Sequence, residues 1–83
     1  VFEAQHDYVK VTTGSSTVLS PISMNQLENS LPPDFIRIHR SFIINLLHVD
    51  MVQGNQVVID NKPYPIGKNY KDSFLDKLNA LKL

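Results

Sequence analysis

The stretch FIRIHRSFIINLLHV, residues 35–49, decides the fold of this chain. Its even-numbered positions carry apolar side chains with a period of two, as a strand does when one face turns toward a core: Ile36, Ile38, Phe42, Ile44 and Leu46. Arg40 interrupts this face between His39 and Ser41. Two explanations are open. Either the chain bends at Arg40 and releases the side chain to solvent, or the arginine is placed there to contact something.

Turn signals divide the rest of the chain into further short strands. The strand around Val9 and Val11 is followed by Gly14-Ser15-Ser16, which predicts a hairpin. After residue 48 we expect strands at 49–53, 57–60 and 63–67, with tight turns at Gly54-Asn55 and Asn61-Lys62. Short antiparallel strands in this order argue against βαβ units and nucleotide-binding folds.

Two helices are predicted, one inserted early and one at the end of the chain. Ser23 and Gln26 have the S-x-x-Q spacing of a capping box, and Pro32-Pro33 ends the helix that follows. The second helix carries an apolar stripe at Tyr70, Phe74, Leu75, Leu78 and Leu81. Asn69 is its predicted N-cap. The predicted fold is therefore mainly β, with one short inserted helix and a C-terminal helix.

Composition is that of an ordinary globular domain. The chain has 83 residues, 42 % of them apolar and 19 % charged, and we expect residues 1–83 to form a single domain. Eight Lys and Arg balance eight Asp and Glu, which counts against strong non-specific binding of nucleic acid. The lack of cysteine excludes disulfides and cysteine-based zinc sites. Because the chain opens within strand-like residues and without Met, we expect a domain excised from a longer protein.

Sites for catalysis or metal binding are not supported by the spacing of the polar residues. His6, His39 and His48 lack the short spacing of a metal site. Ser41 is not in a nucleophile elbow, and its nearness to His39 in the chain is the wrong geometry for a catalytic pair. The three glycines stand singly in turns, so no loop is built to cradle a phosphate. We therefore predict no enzyme, no metal and no cofactor.

Three polar segments remain as candidates for binding. His39-Arg40-Ser41 is either a corner where the strand changes face, with Arg40 solvated or paired, or a strand end that presents Arg40 to a guanine edge or a phosphate. Residues 67–71, GKNYK, are either a loop that enters a helix or a phosphate-binding helix start. Residues 5–8, QHDY, are a polar turn by default.

Over nearly its whole length, the chain resembles the LytTR DNA-binding domain of bacterial response regulators. The segment FEAQHDYVKV is similar to that family's strand iEa..dYv.i. The segment ISMNQLENSLPPDFIRIHRSFIINLLHV resembles its short helix followed by Lp..F.RiHRSyivNl..I, and NQVVIDNKPYPIGKNYKDSFLDKL resembles its closing v.l.....pig..Y...f...l. Such domains carry one more strand in front, so we expect truncation at the N-terminal strand and an exposed sheet edge.

The resemblance implies an elongated stack of short antiparallel sheets whose strand-end loops enter successive major grooves of DNA. By position, Arg40 and Lys68 fall where family members contact bases, and the loop at residues 5–8 is the third contact region. Lys68 stands where the family often has arginine, which replaces bidentate recognition by a point charge. The candidate DNA contacts are Arg40, Lys68, Asn69, Lys71, His6, Tyr8 and His39.

We therefore expect a sequence-specific DNA-binding output domain of a bacterial two-component response regulator that regulates transcription in the cytoplasm. Arg40 would read a base edge, Lys68 and Asn69 would contact a base or a phosphate, and Lys71 would contact the backbone. The expected partners are double-stranded DNA with repeated half-sites, a second copy in a dimer, an upstream receiver domain and a sensor kinase, without a membrane. The alternative is a β-rich module that binds a signalling protein through an edge strand.

Overall fold

Two antiparallel sheets and two helices make up the part of the chain that the computed structural model describes, residues 1–5, 8–13 and 16–81. The first sheet has the order β3-β2-β1-β5-β4 and contains β1 (Phe2–Ala4), β2 (Val9–Thr13), β3 (Ser16–Ser20), β4 (Phe35–His39) and β5 (Phe42–Asn45). The second has the order β6-β7-β8 and contains β6 (Met51–Gln53), β7 (Gln56–Ile59) and β8 (Lys62–Pro65). The helices are α1 (Met24–Ser30) and α2 (Lys71–Leu81), and a 3₁₀ turn spans Leu46–His48.

This architecture confirms the predicted fold class. The longest extent of the molecule is 34 Å, against 25 and 22 Å along the other axes. Neither helix in the described ranges is long and apolar enough to cross a membrane.

The stretch at residues 35–49 lies at the centre of both hydrophobic clusters. One cluster packs the first sheet against the second sheet and α2 and contains Ile36, Ile38, Ile44, Leu46, Val57, Ile59, Ile66, Phe74 and Leu78. The other packs the opposite face of the first sheet against α1 and contains Val9, Met24, Leu27 and Ile43. Phe42 packs against the first cluster, so the period-two face is confirmed. Strand β5 is buried on both faces, by Ile43 and Ile44.

Arg40 lies where the chain reverses. His39 pairs with Phe42, so Arg40 and Ser41 form a two-residue turn between β4 and β5. The register shifts between Arg37 and His39, which makes a bulge at Ile38. The Arg40 side chain is exposed. The chain therefore bends here and releases Arg40 from the apolar face, and what the side chain contacts stays a prediction.

Helix α1 begins as its sequence predicts. Ser23 Oγ accepts a hydrogen bond from the Gln26 N–H at 3.2 Å, and the Ser23 N–H donates to Gln26 Oε1 at 3.3 Å. This reciprocal pair is the predicted capping box. Met24 and Leu27 are buried on the face toward the first sheet, which fixes α1 over that sheet.

Two local predictions are wrong. The turn between β7 and β8 is Asp60-Asn61, with φ of 52° and 65°, and not Asn61-Lys62. Asp and Asn both tolerate the left-handed region that a type I′ turn requires at its two central positions. Helix α2 begins at Lys71, which puts Tyr70 at the N-cap position, and the Phe74 N–H donates to the Tyr70 carbonyl at 3.0 Å. Asn69 is therefore not the cap.

Strand β1 lies in the middle of the first sheet, between β2 and β5. The edges of that sheet are β3 and β4, so β1 itself presents no open edge. A further strand in front of β1 stays a prediction.

Candidate nucleic-acid interface

The three predicted contact regions are joined to one another by backbone hydrogen bonds. The Ala4 N–H, at the end of β1, donates to the Ser41 carbonyl at 2.8 Å, so the first loop lies beside the turn after β4. The Gly67 N–H donates to the Ile38 carbonyl at 2.6 Å, so the loop before α2 lies beside the same turn. We call this end of the molecule the three-loop surface and define it by Gln5, Tyr8, Arg40, Ser41 and residues 67–71.

Gly67 permits the close contact between two of these loops. A Cβ atom at this position would lie 3.0 Å from Tyr70 Cδ2 and 3.5 Å from His39 Cα. Carbon atoms in good contact are about 3.5–4.0 Å apart, so the first of these distances is too short. A side chain here would therefore require the Tyr70 ring to shift, whereas the contact with the end of β4 would stay an ordinary one.

His39 stabilises the turn that carries Arg40. Its Nδ1 accepts a hydrogen bond from the Ser41 N–H at 3.1 Å, and its ring lies 5.6 Å from the Phe42 ring between centroids. The side chain is half-buried. The predicted role of His39 as a DNA contact stays a prediction beside this internal role.

The loop before α2 presents its polar side chains to solvent. Lys68 and Asn69 are exposed, and the Tyr70 N–H donates to the Gly67 carbonyl at 2.9 Å, which closes the loop into a turn. Lys71 is half-buried, and its Nζ donates to Asn55 Oδ1 at 2.8 Å. Lys71 thus connects the three-loop surface to the β6–β7 turn.

The first loop is described only in part. The Gln5 N–H donates to the Tyr8 carbonyl at 2.7 Å, which brings the two ends of the loop together. Tyr8 is 50 % exposed. His6, a predicted contact, lies outside the described residues.

A family profile for the LytTr DNA-binding domain matches residues 1–79. The chain belongs to the LytTR family of DNA-binding domains. A solved structure of the LytTr DNA-binding domain of a Bacillus cereus protein, described as a methyl-accepting/DNA response regulator, superposes with a TM-score of 0.85 at 30 % sequence identity. That match covers 93 % of this chain and 77 % of the other.

A curated relative shares part of the sequence. The CO-responsive transcriptional regulator RcoM of Rhodospirillum rubrum is 42 % identical over 48 residues. These are 57 % of this chain and 20 % of the regulator, so most of that protein lies outside the similarity.

Charge is unevenly distributed over this LytTR domain. Among its described residues, the three-loop surface carries Arg40, Lys68 and Lys71 and no carboxylate, while Asp7 of the first loop lies outside the described residues. Asp72 follows in the first turn of α2 and offsets part of this charge. The chain has a net charge of zero, but the described residues of this surface are cationic, and positive charge attracts a phosphate backbone.

A cavity of about 450 Å³ between the two sheets is separate from this surface. It is lined by polar groups that include His48, Asp60 and Tyr64, and by none of the described candidate DNA contacts. Burial, and then the nearby carboxylates of Glu3 and Asp60, raise the pKa of Tyr64. A phenol kept neutral in this way is not prepared to act as a base. Across the described ranges, no three His, Cys, Asp or Glu side chains group as metal ligands do.

Arg37 was missed by the sequence analysis. It lies on β4 opposite Ile43, on the face toward α1, and its side chain is only 14 % exposed. Its Nη1 lies 3.1 Å from Glu28 Oε1 of that helix. The signal in the sequence was a cation in the phase opposite to Ile36 and Ile38, but only the fold reveals which groups it meets.

Proposed function

We propose that this LytTR domain binds promoter DNA sequence-specifically through the three-loop surface and serves as the transcriptional output domain of a response regulator. The observation that carries the proposal is the joining of the three loops, by the Ala4–Ser41 and Gly67–Ile38 hydrogen bonds, at an end of the molecule that also carries three cations.

The predicted contacts other than His39 each have a role in this proposal. Arg40, exposed at the tip of its turn, reads a guanine edge through its guanidinium fork. Lys68 and Asn69 contact a base or a phosphate, and Lys71 contacts the backbone after it releases Asn55. The first loop, with His6 and Tyr8, supplies the third contact.

The names of the similar proteins support a regulatory role. One is described as a CO-responsive transcriptional regulator and the other as a response regulator. For this chain we propose an upstream receiver domain, a cognate sensor kinase, and binding as a dimer to two half-sites. A dimer fits because the contact surface of one domain this small supports only modest affinity.

The test is fluorescence anisotropy with a duplex selected from a random pool by the wild-type domain, and with random duplexes, over a series of salt concentrations. Arg40→Ala should weaken binding to the selected duplex by about 5-fold to 150-fold, since a bidentate base contact contributes about 1–3 kcal/mol. It should change binding to random duplexes far less. Lys68→Ala should lower the salt slope by about one if Lys68 contacts a phosphate. Lys77→Ala, at an exposed position of α2 outside the surface, is the matched control.

Two results would contradict the proposal. One is wild-type protein that ignores every duplex at low salt. The other is an equal effect of Arg40→Ala on selected and random duplexes.

One observation favours the alternative of a protein-interaction module. The edge strand β3 exposes Val18 by 59 % and Leu19 by 57 %, and an edge strand can pair with an extended segment of a partner. Binding of that kind would be nearly indifferent to salt, whereas DNA binding weakens steeply as salt rises. The salt series therefore separates the two functions.

A further inference from the structure

We propose that Arg37 is a positioning residue. Its side chain holds the Arg40-Ser41 turn in one orientation relative to α1 and to the loop before α2. The inference rests on the proposed function, since it explains how Arg40 comes to be presented to a base.

The Arg37 guanidinium binds the turn through its backbone. Its Nε donates to the His39 carbonyl at 3.3 Å, and its Nη2 donates to the Arg40 carbonyl. These carbonyls lie just after the bulge at Ile38, where the regular ladder is interrupted. Arg37 thus binds the backbone of the turn that carries Arg40 directly.

The same guanidinium binds α1 on its other side. Its Nη1 donates to Asn25 Oδ1 at 2.8 Å and to Glu28 Oε1 at 3.1 Å. Glu28 is 47 % exposed, so the ion pair by itself contributes little to stability. What matters is geometry, because the donors of a planar guanidinium have fixed directions. The turn is thereby fixed relative to the helix.

Arg37 also contacts the loop that carries Lys68. Its Cζ lies 6.0 Å from the centroid of the Tyr70 ring, within reach of a cation–π interaction. Tyr70 in turn packs beside Gly67, whose N–H binds the carbonyl of Ile38. One side chain therefore touches both loops and sets how Arg40 and Lys68 lie relative to each other.

The internal hydrogen bonds of Arg37 leave few of its N–H donors for contacts with DNA. A guanidinium has five N–H donors, and the hydrogen bonds above use four of them. The side chain is 14 % exposed. Arg37 consequently acts through Arg40 and does not itself read DNA.

The first experiment compares Arg37→Lys with Glu28→Gln in the anisotropy assay. Lysine keeps the charge but cannot reach the turn carbonyls and α1 together, so Arg37→Lys should weaken binding to the selected duplex about tenfold. Binding to random duplexes and the salt slope should stay nearly unchanged. Glu28→Gln removes the ion pair but keeps an amide acceptor, and its affinity should stay within about twofold of wild type.

A double-mutant cycle tests whether Arg37 acts through Arg40. In the Arg40→Ala background, Arg37→Lys should have no further effect on the selected duplex, because no guanidinium is left to orient. If Arg37→Lys lowered the affinity for the selected duplex equally in both backgrounds, the inference would be overturned. The same holds if the single variant Arg37→Lys preferred the selected duplex over random duplexes as strongly as wild type does.

Two further measurements keep the test decisive. If Arg37→Lys does not fold, Tyr70→Leu removes only the stacked ring and should weaken the selected complex about threefold. If that variant still distinguished the selected duplex from random duplexes as well as wild type does, the inference would be overturned.

Amide NMR spectra without DNA should show shifted signals for Arg40 and Ser41 in Arg37→Lys. If wild type fails to discriminate between duplexes, the proposed function fails, and unchanged signals would show separately that Arg37 does not order the turn.

Discussion

Gly67→Ala is the sharpest test of how the loops are held together. The added Cβ would lie 3.0 Å from Tyr70 Cδ2, while its distances to the His39 Cα and the Ile38 carbonyl oxygen are 3.5 and 3.6 Å, which are ordinary contacts. Only the Tyr70 ring has to move, by a few tenths of an ångström, to relieve this contact. The guanidinium of Arg37 lies 6.0 Å from the centroid of this ring, so a shift of the ring disturbs that contact.

The expected magnitude follows from three contributions. Overpacking costs about 1–3 kcal/mol in a tight core, and the lower end applies because Tyr70 is half-buried and able to yield. A weakened cation–π contact at a partly exposed site costs about 0.5–1 kcal/mol. Replacing glycine by alanine returns about 0.4–1 kcal/mol by restricting the unfolded chain. The net prediction is a loss of about 1 kcal/mol, or about 4–8 °C in the melting temperature.

The assay is thermal unfolding followed by circular dichroism, with Gly54→Ala as the matched control. Gly54 has φ of +56° and no atom within 4 Å of an added Cβ, so alanine there costs about 1–2 kcal/mol through backbone strain and not through a clash. Tyr70→Ala separates the two mechanisms. In that background Gly67→Ala should become neutral or stabilising, whereas Gly54→Ala should cost what it costs in wild type.

A Gly67→Ala protein that melts at or above the wild-type temperature would refute the reasoning. It would mean that the Tyr70 ring moves without cost and that Gly67 is not required for the contact between the two loops. A loss that persists undiminished in the Tyr70→Ala background would be equally damaging, since the clash would then lie elsewhere.

Three further predictions concern stability. Ser23→Ala should lower the free energy of unfolding in urea by about 1 kcal/mol, because it removes the side-chain acceptor of the capping box; an unchanged midpoint would contradict this. Phe74→Ala should cost about 3–5 kcal/mol in the same assay, because Phe74 of α2 is fully buried against the sheets, and a loss below about 1 kcal/mol would contradict this. The raised pKa of Tyr64, caused by burial and nearby carboxylates, means that the unfolded chain loses this proton first, so stability should fall as the pH rises above about 10. Tyr64→Phe should flatten that fall, and identical pH profiles for the two proteins would argue against it.

The sequence predicted those features that depend on neighbours in the chain. The capping box at Ser23 and Gln26 depends on residues three apart. The apolar phase of residues 35–49 depends on alternation alone. The interruption at Arg40 correctly marked a bend, because a cation cannot continue a buried face without a partner. The type of contact that Arg40 makes came only from the family resemblance, and it stays a prediction.

The missed features depend on residues far apart in the chain. Gly67 resembles an ordinary loop glycine, because the sequence does not show that the Tyr70 ring lies against it or that its N–H meets the Ile38 carbonyl. Arg37 meets groups from α1, the turn and the loop before α2, and no local pattern connects these. The turn at Asp60-Asn61 was misplaced by one residue because three consecutive polar residues all suit a turn.

Because β5 is buried on both faces, the orientation of Arg40 depends on how cooperatively the domain folds. Ile43 and Ile44 are neighbours in the chain, yet each belongs to a different hydrophobic cluster. Loss of packing under either helix therefore removes support from the same strand, so we expect the two layers to unfold together. Since β5 begins directly after the Arg40-Ser41 turn, we expect the defined orientation of Arg40 to be lost in the same transition.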